Sequence, residues 1–70
     1  MTEVRAEMVA NVWKVEVSAG DAVGLGDPLV ILESMKMEIP VESPVAGTVT
    51  EVRVNEGGVV QEGDVIAVVE

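Results

Sequence analysis

Lys36 stands between two methionines in the segment Glu33-Ser34-Met35-Lys36-Met37-Glu38. A side-chain amine framed by two flexible, polarizable thioethers is the most pointed chemical feature of the chain. Methionine is favoured on surfaces that dock against partners, so Met35 and Met37 read as a recognition tab around that amine. The plainer alternative is that both fold inward as core gap-fillers beside a solvated lysine. Lys14 is the only other lysine and reads as a solvated strand residue. The chain has no cysteine and no histidine, so it lacks a thiol nucleophile, a disulfide and a neutral-pH proton shuttle. A metal would have to rest on carboxylates alone. Independent catalysis is not expected: paired carboxylates exist, but nothing in the pattern gathers them around a cavity. Gly24-x-Gly26 resembles part of a phosphate loop, but no helix follows whose N-terminus could hold the phosphate.

Thirteen acidic against four basic residues give a net charge of −9 over 70 residues. Such a surface repels phosphate backbones and anionic headgroups, which argues against nucleic-acid and membrane roles. No apolar run approaches the roughly 20 residues of a membrane span, and no basic segment followed by an apolar one opens the chain, so a cytoplasmic protein is expected. The length suits one domain over residues 1–70, which buries only about 60% of its unfolded surface.

The elements that must position Lys36 follow from a repeat. Shifting the chain by 37 positions aligns Val4 with Val41, Val12 with Val49, Val15 with Val52 and Val17 with Val54. It also aligns Gly20 with Gly57, Val23 with Val60, Gly26 with Gly63, Asp27 with Asp64 and Glu33 with Glu70. Seventeen valines would produce some of these matches by chance, so the weight falls on the recurring Gly-x5-Gly-Asp. Valine favours strands, and helix signals are absent. Period-two patterning sets Trp13, Val15 and Val17 on a dry face, alternating with Val12, Lys14 and Glu16, and the second unit repeats this with Thr50, Val52 and Val54. Val15 and Val52 are therefore expected in the core, and so is Trp13, the sole aromatic, for which contact with a partner is the alternative. Each Gly-Asp opens an apolar run, Pro28 to Leu32 and Val65 to Val69, that reads as a strand covered on both faces. Turns are expected at Ala19-Gly20-Asp21 and Glu56-Gly57-Gly58, and strands near 2–9, 12–18, 28–33, 37–42, 46–54 and 65–69. The predicted architecture is all-β: a flattened barrel of two antiparallel sheets related by a quasi-two-fold axis. Under that symmetry the junction of the units, residues 33–37, is the counterpart of the gap between Glu70 and Met1. The termini are then neighbours, and Lys36 projects on a hairpin at the opposite end.

The hexapeptide around Lys36, with Gly26-Asp27-Pro28-Leu29 upstream and Ala46-Gly47-Thr48-Val49 downstream, resembles the biotinyl domain of biotin-dependent carboxylases over nearly the whole chain. The resemblance implies that a biotin protein ligase attaches biotin covalently to Lys36 from an activated biotinyl-adenylate. Met35 and Met37 would serve ligase recognition, and Glu33, Ser34 and Glu38 would form the hairpin flanks. It further implies a non-catalytic carboxyl carrier, a monomer when isolated, that moves CO2 from a biotin carboxylase to the carboxyltransferase of an acyl-CoA or related carboxylase, and it leaves open whether the acceptor is an acyl-CoA, pyruvate, urea or another compound. Ser34 departs from the alanine common in that family. Related lipoyl domains share the fold but usually set the lysine between Asp and a small apolar residue, so a lipoyl carrier is the nearest alternative. A small β-barrel interaction module, with Lys36 incidental, is the other.

Overall fold

The computed structural model describes all residues, Met1–Glu70. Eight strands run through it: β1 (Thr2–Arg5), β2 (Ala10–Val15), β3 (Ala22–Val23), β4 (Pro28–Ser34), β5 (Met37–Glu42), β6 (Gly47–Val52), β7 (Val59–Val60) and β8 (Val65–Val69). They form two antiparallel four-stranded sheets. Sheet I has the order β1-β8-β6-β3 and sheet II the order β5-β4-β2-β7.

The 37-residue shift maps one sheet onto the other. It carries β2 onto β6 and β3 onto β7 residue for residue, β1 onto β5 and β4 onto β8, so the order β1-β8-β6-β3 becomes β5-β4-β2-β7. Register follows suit. Thr2 opposite Val69, Glu3 opposite Val68 and Val4 opposite Ala67 correspond to Ile39 opposite Leu32, Pro40 opposite Ile31 and Val41 opposite Val30. Each sheet takes two strands from each unit, so the copies interlock and neither closes a core by itself. Because Thr2 pairs with Val69, the chain ends lie side by side in sheet I, while their two-fold counterpart, the β4–β5 hairpin, sits in sheet II.

The recurring glycines build the turns that let the units cross. Gly26 and Gly63 have φ of +88° and +90°, each at the third position of a turn closed by Asp27 N–H to Gly24 C=O and Asp64 N–H to Gln61 C=O. With the preceding Leu25 and Glu62 at negative φ, these are type II turns. Asp27 Oδ2 then accepts from Gly24 N–H and Asp64 Oδ2 from Gln61 N–H, each at 2.8 Å, which explains why glycine and aspartate recur together. Crossing bonds are duplicated too: Gly57 N–H donates to Val12 C=O, as Gly20 N–H does to Val49 C=O.

The core is aliphatic, with Leu29, Val30, Val49, Ile66, Ala67 and Val69 fully sequestered. The apolar runs in β4 and β8, expected to be covered on both faces, are buried along most of their length. Two expectations need correction. Trp13 is 42% exposed, whereas Val12 and Val49, assigned to the wetter face, are buried. The cause is a bulge: register slips between Val12 and Lys14 against β4, and at the equivalent place between Val49 and Glu51 against β8. One extra residue reverses the inward phase. Val12 and Val15 therefore both face inward, Trp13 and Lys14 both face outward, and Val15 and Val52 are only half-buried. Strand limits also shift, with β1 ending at Arg5 and β2 beginning at Ala10. The two-residue strands β3 and β7, too short to show a period in sequence, complete the sheets.

Candidate functional site

The hairpin between β4 and β5 pairs Leu32 with Ile39, Glu33 with Glu38 and Ser34 with Met37, leaving a loop of two residues, Met35 and Lys36. Both have positive φ, +53° and +63°, and they are the only non-glycine residues that do. Positive φ at both central positions defines a type I′ turn, the form whose twist matches a hairpin and which ordinarily takes Asn-Gly. An L-residue with a Cβ in this region costs about 1 to 2 kcal/mol, and here two such residues are adjacent.

Other local features of the tip also run against stability. Met35 is 91% exposed and Met37 65%, so the alternative in which they fold into the core does not hold. Glu33 and Glu38 are both exposed and directly opposite each other, an arrangement in which like charges repel. Ser34, half-buried, is the least exposed member of the hexapeptide. A strained turn, two solvated methionines and a like-charge pair therefore coincide within six residues, where every local choice would otherwise favour a cheaper hairpin.

Lys36 is exposed and free of ion pairs. The two ion pairs in the structure join Arg5 to Glu3 at 2.6 Å and Arg53 to Glu51 at 2.9 Å. The hydrogen bond and charge of Glu51 hold the Arg53 guanidinium above its already high range. Lys14 places its Nζ 5.0 Å from the centroid of the Trp13 ring, a cation–π contact that removes it from the class of merely solvated lysines. Lys36 is thus the lysine presented to solvent without a recorded partner. The surface hollows, of about 570, 370 and 460 Å3, are all lined by residues outside 33–38. The tip is convex, and what it can do chemically is offer a primary amine to an acyl donor brought by another protein. A covalent acyl group fits such a site, because the amine has an open approach and no ion pair has to be broken first.

The structure brings the six residues singled out in the sequence, 33–38, together on one hairpin. Sequence reasoning missed the exposed position of Trp13, for which a valine-phase mismatch between Val12 and Val15 was the available signal: both align with valines in the second unit, yet their separation is odd.

Comparison with known proteins agrees with this geometry. A family model described as biotin-requiring enzyme matches residues 2–69. The chain is 61% identical over 67 residues to the biotinylated protein TB7.3 homolog of Mycobacterium leprae, covering 96% of this chain and 94% of that protein. It is 51% identical over 63 residues to the biotin/lipoyl attachment protein of Bacillus subtilis, covering 90% and 86%. Among solved structures, the urea carboxylase of Kluyveromyces lactis superposes with a TM-score of 0.92 at 32% identity, covering 99% of this chain and 6% of that enzyme. A single-chain, multi-domain long-chain acyl-CoA carboxylase superposes at 0.88 with 33% identity, covering 94% and again 6%. The chain belongs to the biotin/lipoyl attachment family of non-catalytic carrier domains, and its cofactor is covalently bound biotin.

Proposed function

We propose that Lys36 is the attachment point and that the chain acts as a mobile carboxyl carrier. The observation that carries this reading is the strained, exposed Met35-Lys36 turn, whose residue types cost stability where Asn-Gly would close the same hairpin more cheaply. Loading is an acyl transfer. The neutral amine of Lys36 attacks the carbonyl of an activated acyl donor held by a biotin protein ligase, an amide bond forms, and the adenylate leaves with the electron pair. The proton and positive charge of the ammonium are lost in the process. Met35 and Met37 bracket the amine for recognition by the ligase, while Glu33, Ser34 and Glu38 form the stalk.

Biotin supplies a ring nitrogen able to carry a carboxyl group, a chemistry none of the side chains here offers. The protein's contribution is positional: a rigid double sheet keeps the tethered group at high effective concentration for a biotin carboxylase and then a carboxyltransferase. An acyl-CoA carboxylase is the proposed system, supported by the likeness to a long-chain acyl-CoA carboxylase. We further propose a cytoplasmic carrier, monomeric when isolated. Co-expression with a biotin protein ligase and intact-mass measurement tests the reading: one biotin adduct is expected, absent from Lys36→Ala. No adduct, or one that survives that substitution, refutes it.

A further inference from the structure

The internal duplication allows the outer faces of the two sheets to be compared at equivalent positions. On sheet I, Val68 lies in register between Glu3 of β1 and Glu51 of β6. The ion pairs of these glutamates with Arg5 and Arg53 run along the same face, and Val68 is 3% exposed. Its twin on sheet II, 37 residues earlier, is Ile31, and here no ion pair covers the strand. Ile31 is only half-buried, in register with Lys14 of β2 and Pro40 of β5. The bulge turns Trp13 outward beside it, 42% exposed, and Val59 on β7 is 64% exposed. The twins of Trp13 and Val59 are Thr50 and Ala22. The same backbone positions thus accept small or polar residues on one face and carry large apolar ones on the other, so folding alone does not require Trp13 or Val59.

This open face runs into the hairpin. Val59 is in register with Asn11, Asn11 with Glu33, and Glu33 with Glu38, and all four are exposed. We propose that the face of sheet II from Trp13 to the Glu33–Glu38 pair is the surface gripped by the enzyme that acylates Lys36. That partner presents an apolar recess for Trp13 and a basic rim for the two glutamates. The proposal rests on the attachment reading above and adds where the ligase holds the carrier.

Reach selects this occupant. During acylation the amine must come within about 3 to 3.5 Å of the acyl carbonyl, and the lysine side chain is the only slack. The body beside the hairpin must therefore be held. At about 3.4 Å per strand residue, Ile31 lies about 10 Å below Ser34, inside the footprint of a standard interface of about 800 Å2 per partner. Enzymes that meet the loaded carrier are reached by a long flexible arm and need no comparable grip. Charge complementarity points the same way, since the rim nearest the hairpin is acidic and the donor enzyme has to approach it.

The test is the initial rate of loading by a purified biotin protein ligase with biotin and ATP, read by intact mass as the carrier is titrated. Trp13→Thr copies the residue at the twin position. It is expected to raise the ligase's KM for the carrier by about tenfold, leave kcat nearly unchanged, and still reach one adduct per chain. Val59→Ala, copying Ala22, should shift KM in the same direction by less, and it carries the test if Trp13→Thr fails a thermal-melting check of its fold. An unchanged KM in a folded variant overturns the docking surface while leaving the attachment reading intact. Weakening seen only with a biotin carboxylase, or loss of a self-association found in the parent chain, assigns the face to another occupant and overturns the proposal. No adduct on the parent chain refutes the attachment reading itself.

Discussion

Met35 and Lys36 occupy the two central positions of one type I′ turn, with φ of +53° and +63°, and neither is a glycine. The strain should be recoverable. Met35→Gly removes the Cβ at a left-handed position and is expected to stabilise the protein by about 1 kcal/mol, raising the melting temperature by about 4 to 8 °C. The same variant should load more slowly with a biotin protein ligase. A lower melting temperature would show that the turn is not strained.

Lys36→Ala separates presentation from folding. The side chain is exposed and belongs to neither ion pair, so its loss should change stability by no more than about 0.5 kcal/mol in chemical denaturation. A loss of 2 kcal/mol or more, on the order of a core truncation, would make the lysine structural.

The core should be far less forgiving. Leu29 and Ile66 are fully buried at nearly equivalent depths of β4 and β8, and truncating either to alanine should cost about 2 to 5 kcal/mol. With a typical total of about 0.05 to 0.15 kcal/mol per residue, either variant approaches global unfolding at 37 °C. Val15→Ala, at a half-buried site past the bulge, should cost less than either, as measured by the denaturant midpoint.

Gly47 is a further vulnerable point. A Cβ built there would collide with the carbonyl of Glu70, and Val69 Cγ1 would lie 3.1 Å away. Its twin position holds Ala10, which is buried, so the constraint is local to the Glu70 carbonyl, just past the end of β8 and paired with Thr48. Gly47→Ala is expected to cost about 1 to 3 kcal/mol and to speed amide exchange at Glu70 and Thr48, which hydrogen-bond each other in both directions.

Ionic strength should modulate loading. With a net charge of −9 and an acidic pair beneath the tip, association with a basic partner surface weakens as the screening length falls from about 10 Å at 0.1 M salt to about 3 Å at 1 M. The ligase's KM for the carrier should rise over that range. A flat profile would remove the charge component from recognition.

Much of this was legible in the residues themselves. The 37-residue shift announced two copies of one unit, the Gly-Asp pairs marked the turns, and Met35-Lys36-Met37 at the junction marked the tip, because turn chemistry and local charge act over a few residues and leave their signature in sequence. Three things were decided only when the chain closed. The copies interlock, two strands of each in either sheet, because backbone partners are chosen across the whole molecule. The bulges after Val12 and Val49 reversed the inward phase and set Trp13 outside, because strand pairing decides where the extra residue falls, and a period-two count assumes an unbroken ladder. The strain at Met35 and Lys36 arose because two strands in register leave a two-residue gap, which this hairpin closes with a turn left-handed at both residues.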